Sequence, residues 1–292
     1  MLAAIQAIHC PPTQNLGTFE VHARFPMSAD RTPAQHGPYV HGSTDDREVA
    51  RLVLQAAFVA QFSLVDFDAP KGARVLDLGT GVGAMAAELS RRYPGITLTG
   101  ADVSAAQLAR AEALHPIAHY VLADAEKLPF PDASFDRVHA TWLLEHVRDP
   151  VAVLREMRRV LARGGMAHVT EVDNATLRIA PTLPELVETF DALNEAQKAA
   201  GGDPFVGRKL VDYARAAGFS RVESREVLLL GDDAHPEMRA ALYEEFAGIC
   251  ESLDEALAGV EIERARKAAS LLRGRGKGTS LEYRPMVLRA YV

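Results

Sequence analysis

The chain has 292 residues, 48% of them hydrophobic and 24% charged, and carries a formal net charge of −7. That balance is expected of a soluble globular protein, long enough for one α/β domain with additions or for two small domains. The acidic excess argues against a nucleic-acid surface, which relies on clustered Lys and Arg.

The opening residues, "MLAAIQAIHCPPTQ", lack the basic start and long apolar run of a secretory leader. No stretch of about 18 uncharged apolar residues follows, so no membrane span is expected. Cys10 and Cys250 form no CxxC pair and suggest neither a zinc cluster nor a disulfide framework. The chain therefore reads as intracellular and cytoplasmic. Residues 1–43 are irregular and rich in Pro, His and Gly, with one strand over "TFEVHARF". Ser43 and Thr44 are the expected N-caps of a long helix through "DDREVARLVLQAAFVAQF", whose apolar positions fall mainly on one face.

A strand–helix alternation begins at "ARVLDLG". A helix over 82–92 ends at Pro94-Gly95, and "ITLTGA" is the second strand. Ser104 and Gln107 have capping-box spacing and open a helix to Leu114. "HYVLAD" and "DRVHATW" are the third and fourth strands. Asp149-Pro150 supplies an N-cap and a first-turn proline for "VAVLREMRRVLA", closed by Gly164-Gly165. "MAHVTEV" is a fifth strand, "GRKLVDYARAAGF" a helix, and "RVESREVLLL" and "LEYRPMVLRAYV" read as later strands. "RGRGK" (273–277) reads as a solvated, mobile loop. The alternation predicts an α/β fold with a mostly parallel sheet covered on both faces. Residues 173–206 and 235–272 interrupt it.

The stretch "VLDLGTGVGAMAAEL" puts Gly79, Gly81 and Gly83 between a strand and a helix. In an open parallel sheet such a turn lies where ligands bind. Asp102 follows the second strand about 20 residues later, where a carboxylate accepts from ribose hydroxyls; the plainer reading is a loop residue or helix cap. The spacing is GxGxG rather than GxGxxG, with Ala84 where the dinucleotide fingerprint has its third glycine. Asp77 stands before the turn, disfavours a phosphate there and suits a cation. The pattern points away from NAD and toward S-adenosylmethionine.

Four stretches now carry a resemblance: "VLDLGTGVGAMAAEL", "LTGADVSAAQLARA", "YVLADAEKLPFPDASFDRVHATWLLEHVRDP" and "LREMRRVLARGGMAHVTE", over about residues 73–172. Together they resemble the class I S-adenosylmethionine-dependent methyltransferases, closest to the ubiquinone- and menaquinone-biosynthesis-type and small-molecule enzymes. The resemblance implies an α/β, Rossmann-like seven-stranded methyltransferase sheet with helices on both faces and a final antiparallel strand, here "LEYRPMVLRAYV". It divides the chain into an N-terminal extension and lid helix (1–65) and a cofactor-binding domain (66–292) with helical cap insertions. It implies that Gly79, Gly81 and Gly83 admit the methionyl and ribose parts of the cofactor and that Asp77 lies near its methionine end. Asp102 would hold the ribose, Val103 pack on adenine, Asp124 accept from the adenine amino group, and the backbone of Ala125 meet the ring. Thr141 and Trp142 would line the sulfonium region; for Trp142, core packing is the equal alternative. Tyr39 would close over the ligand and Arg51 approach its carboxylate, against the alternative of a solvated arginine.

Methyl transfer from a sulfonium needs alignment and exclusion of water, and a general base only where the acceptor must lose a proton. His146 and His41 are the candidate bases. Glu145 shares the "LLEHV" stretch, where structural hydrogen bonding competes with acid–base work, and His139 reads as core. Asp173, after the fifth strand, is expected to contact substrate. No metal site is expected. The insertions should build the acceptor pocket, with Phe190, Phe205, Tyr243 and Phe246 as apolar walls. The partner is then a small-molecule acceptor, partly apolar or aromatic, with no nucleic acid and no membrane. The alternatives are an NAD-type oxidoreductase, which lacks a recognisable catalytic pattern here, and a non-catalytic protein that binds S-adenosylmethionine on the same fold.

Overall fold

A computed structural model describes residues 45–292. The expected strand over "TFEVHARF", the caps Ser43 and Thr44, and the site residues Tyr39 and His41 lie outside those residues. Helix α1 (Asp46–Ser63) is capped by Asp45, whose carboxylate accepts from the Glu48 N–H at 2.8 Å. By length and composition α1 could span a membrane. In the fold Val49, Ala56, Val59 and Ala60 are buried in a cluster with Val75, Met85 and Leu89.

The alternation then runs β1 (Arg74–Leu78), α2 (Ala84–Arg92), β2 (Thr97–Asp102), α3 (Ala105–Leu114), β3 (His119–Leu122), β4 (Phe135–Thr141), α4 (Pro150–Val160) and β5 (Leu161–Glu171). After these come β6 (Arg178–Ala180), α5 (Pro184–Ala199), α6 (Leu210–Ala216), β7 (Arg221–Glu226), β8 (Leu229–Gly231), α7 (Pro236–Glu251), α8 (Val260–Gly274), β9 (Ser280–Tyr283) and β10 (Met286–Tyr291). The large sheet has the order β3-β2-β1-β4-β5-β10-β7, and β10 runs antiparallel to both of its neighbours. This is the seven-stranded, Rossmann-like sheet that the sequence led one to expect. Its strand order reverses between β1 and β4, which opens a crevice at the carboxyl ends of those strands.

Local chemistry explains the helix starts. Asp149 accepts from the Ala152 N–H at 2.9 Å, and Pro150 occupies the first turn of α4, whose Val153, Leu154, Met157 and Val160 are buried. The helix stops at Val160, two residues earlier than expected, because Leu161 is already extended and pairs with Phe135. At α3, Ser104 Oγ accepts from the Gln107 N–H at 3.3 Å. The reciprocal half of the box is missing: the Ser104 N–H donates to Asp102 at 2.9 Å.

Two expected single strands are each divided. "RVESREVLLL" forms β7 and β8, and "LEYRPMVLRAYV" forms β9 and β10 on either side of Arg284-Pro285. β6, β9 and β8 make a separate antiparallel sheet of three strands. With α5, α7 and α8 it encloses a second apolar core around Leu186, Leu242, Phe246 and Leu272. The interrupting segments therefore build one cap body. Of "RGRGK", Arg273 and Gly274 end α8 rather than lying in a loop; Arg273 pairs with Glu244 and Glu251, and Arg275 donates to the Pro181 carbonyl.

Candidate active site

The turn after β1 is shaped by its backbone. Gly79, Gly81 and Gly83 have φ of 72°, 53° and 77°, a region that side chains with a Cβ avoid. At Gly83 a Cβ would also stand 2.7 Å from the Tyr120 hydroxyl, which itself donates to the His115 carbonyl. The Gly81 N–H donates to Asp102 at 2.8 Å, so the carboxylate at the end of β2 ties the turn to the neighbouring strand. Desolvation pushes the Asp102 carboxyl above its usual range, while the N–H bonds from Ser104 and Gly81 pull it back.

Asp77 is 2% exposed and faces inward. Its carboxylate accepts from the Thr80 hydroxyl at 2.7 Å and lies 2.8 Å from His139 Nδ1. A proton on Nδ1 satisfies that contact and leaves Nε2 to accept from the Thr141 hydroxyl, 3.1 Å away. Asp77 thus joins β1, the glycine turn and the end of β4, and reaches the cavity only through Thr80 and Thr141.

A cavity of about 320 Å³ opens beyond these strand ends. It has two lobes. The first follows the glycine turn and contains Asp102, Val103, Gln107, Asp124, Ala125 and Thr141. Val103 lines this lobe and is exposed at 44%. Asp124 accepts from the Glu126 N–H at 2.8 Å, which fixes the turn after β3. Gln107 Oε1 is buried without a partner in the protein. Arg51 also lines the cavity; its guanidinium is bidentate on Glu48 at 2.6 and 2.8 Å rather than solvated.

The second lobe lies under the cap, with Trp142 between the two. Trp142 has φ of 53°, lines the cavity and also packs on both neighbouring cores. Phe190 and Phe246 are walls, with ring centroids 5.3 Å apart, as expected. Tyr243 and Phe205 are not among the lining residues. Tyr243 donates to Thr279 at 2.7 Å, and Phe205 sits under Lys198 and Arg208. Leu193, Leu229, Leu242, Ile249 and Tyr283 complete the chamber and had not been singled out.

Asp173 is a correction. It is 5% exposed and bidentate on Arg208 at 2.7 and 2.8 Å, an ion pair outside the cavity lining. His146 does line the cavity, but burial pushes it down to about 4. Its neighbour Glu145 lies 3.6 Å away, accepts from Gln197 Nε2 at 2.7 Å, and is pushed up by burial to about 7. Glu171, at the end of β5, was missed. Its Oε1 accepts from the Leu143 and Leu144 N–H groups at 2.9 and 2.6 Å, which fixes the turn carrying Trp142 to His146. Burial, with Glu145 nearby, pushes the Glu171 carboxyl well up.

A family model described as a methyltransferase domain matches residues 76–169. The methyltransferase str2 of Strobilurus tenacellus is 31% identical over 204 residues, 67% of this chain and 72% of the relative. The ubiquinone/menaquinone biosynthesis C-methyltransferase UbiE of Desulfotalea psychrophila is 41% identical over 175 residues, 55% of this chain and 71% of the relative. The chain belongs to the class I S-adenosylmethionine-dependent methyltransferases. Methyltransferase GfsG of Streptomyces halstedii is 42% identical over 137 residues, 44% of this chain, and the chain spans about half (48%) of its length. A solved structure described as a putative methyltransferase from an antibiotic biosynthesis pathway of Anabaena variabilis superposes with a TM-score of 0.57. It is 20% identical, with 82% of this chain and 96% of that one covered, a likeness of fold.

The first lobe of this methyltransferase fits S-adenosylmethionine. Gln107 Oε1 is an acceptor buried without a partner, and a Cβ on Gly81 would stand 3.1 Å from it. The acceptors in this lobe, Asp102, Asp124 and Gln107, suit a ligand that brings hydroxyls and an amino group, whereas the carboxylates of Asp77 and Asp102 beside the turn oppose a pyrophosphate. The NAD reading is accordingly not favoured.

Proposed function

We propose that this protein transfers a methyl group from S-adenosylmethionine to a small, partly apolar or aromatic molecule, in the cytoplasm and in secondary metabolism. The observation that carries the reading is one cavity in which a glycine-turn lobe meets an apolar chamber beneath the cap. Asp102 receives the ribose hydroxyls and Val103 covers the adenine. Asp124 and Ala125 meet the adenine edge, and Gly79, Gly81 and Gly83 let the backbone approach the remainder. Asp77 braces the turn at the methionine end through Thr80, while Arg51 stands at the rim. Thr141 and Trp142 flank the point where the lobes join. The cofactor, when bound, supplies a methyl group already activated on a positively charged sulfur. The protein's part is to align the acceptor with that methyl and keep water out, for which apolar walls such as Phe190 and Phe246 serve. A secondary-metabolic role accords with the antibiotic-pathway description of the Anabaena neighbour.

Calorimetric titration with S-adenosylmethionine, S-adenosylhomocysteine and NAD tests the reading. Binding of the two adenosyl compounds at one site, with no heat from NAD, is expected. Heat from NAD alone would overturn it.

A further inference from the structure

The acceptor chamber holds buried polar atoms that the protein leaves unsatisfied. Gln197 is 3% exposed and gives its Nε2 to Glu145 at 2.7 Å, which leaves Oε1 buried without a partner. Trp142 Nε1 is likewise buried without a partner. One is an acceptor and the other a donor, and both residues line the chamber. Buried groups of this kind are satisfied in most proteins, so their presence at a cavity calls for a ligand that both donates and accepts. Phe190, Leu193, Leu229, Leu242, Phe246 and Ile249 supply the apolar part of the wall, and Asn174, Tyr283, His146 and Glu245 line it as well.

Resting on the methyltransferase reading above, we propose that the acceptor is an apolar ring compound bearing a hydroxyl, and that Glu145 is the catalytic base that takes the hydroxyl proton. A hydroxyl donates to a carboxylate or to Gln197 Oε1 and accepts from an indole N–H. A bare ring carbon does neither, an ammonium group only donates and has no lone pair to attack, and a neutral arylamine attacks without losing a proton first and has no need of a carboxylate base. In the transfer, a lone pair of the hydroxyl oxygen forms the new O–C bond while the C–S bond breaks. The bonding pair stays on sulfur, and the proton passes to the Glu145 carboxylate.

The surroundings of Glu145 suit this work. Gln197 faces it from α5, Glu171 from β5 and Tyr283 from β9, with His146 beside it on the same turn. Burial brings Glu145 to about 7, near the pH at which a base is both ionised and basic enough. His146, at about 4, is a poor acceptor by comparison. The other carboxylate lining the chamber, Glu245, accepts from Gln55 at 2.6 Å and lies near the Arg51–Glu48 pair rather than beside Gln197.

The test offers matched rings, 2-naphthol with 2-naphthylamine and naphthalene, and 4-phenylphenol with 4-aminobiphenyl and biphenyl, together with methyl-labelled S-adenosylmethionine. Label on the oxygen of the hydroxyl members is expected. Label on nitrogen or carbon, or on no member while S-adenosylhomocysteine still binds, overturns the acceptor assignment and leaves the donor reading standing. Loss of S-adenosylhomocysteine binding to the wild-type protein would instead overturn the methyltransferase reading itself. With the labelled hydroxyl compound, Glu145→Gln should lower kcat by about 100-fold or more and abolish the rise of kcat/KM through about pH 7. S-adenosylhomocysteine affinity should stay unchanged, which shows that the variant is folded. Glu145→Asp should restore the pH-dependent limb with part of the rate. A Glu145→Gln enzyme with the wild-type rate and pH profile overturns the role of Glu145.

Discussion

Glu171 accepts two backbone N–H groups through one oxygen, while its second oxygen is buried with no partner. Its carboxyl is pushed up, so ionisation favours the unfolded chain: its cost to stability is absent well below the ordinary value of 4.5 and grows as pH rises above it. His146 and His168, pushed down by burial, act in the opposite sense and cost stability as pH falls below 6.5. Glu171→Gln keeps the acceptor oxygen and removes only the ionisation. Thermal melts should show its Tm close to wild type near pH 4.5 and progressively above wild type toward pH 8; a difference that does not change with pH counts against this account. Sequence reading singled out Asp102 because a carboxylate after the second strand has a recurrent use, and the structure places it in the cavity lining, bonded to the Gly81 N–H. It missed Glu171 because its partners lie 27 and 28 residues earlier in the chain. It misplaced Asp173 because nothing nearby announces Arg208, 35 residues on.

At the level of elements, the turn from β1 into α2 is the part most completely written in the sequence. Glycine adopts the φ of 77° preceding α2 without the strain another residue would carry, and Gly83 also faces Ala111 and Tyr120 across a gap too small for a methyl group. Gly83→Ala should destabilise the fold by about 1–3 kcal/mol, read from denaturant melts, and weaken S-adenosylhomocysteine binding. Unchanged stability would mean that the turn relaxes. Capping chemistry likewise made α3 and α4 legible, since Ser104 and Asp149 act within three residues of their own position. The small sheet was not legible. β6 and β8 have only three residues each and acquire their identity by pairing with β9, which is far away in sequence.

On the scale of the whole molecule, the cavity lies between the large sheet's crevice and the cap's own apolar core, so a ligand there bridges two packed bodies. Such a ligand should stabilise the fold as a unit. At a hundredfold excess over its Kd, S-adenosylhomocysteine should contribute about 2.7 kcal/mol, a rise in Tm of roughly 4–5 °C for a protein of this size. Two separate thermal transitions, with only one displaced by the compound, would show that sheet and cap melt independently.

The chain contains a single tryptophan, and it is Trp142, at the junction of the two lobes. Its indole is therefore a built-in optical label. Under excitation that tyrosine does not absorb, emission comes from this junction alone, so quenching or a spectral displacement on adding either reactant reports on that spot without dye, tag or mutation.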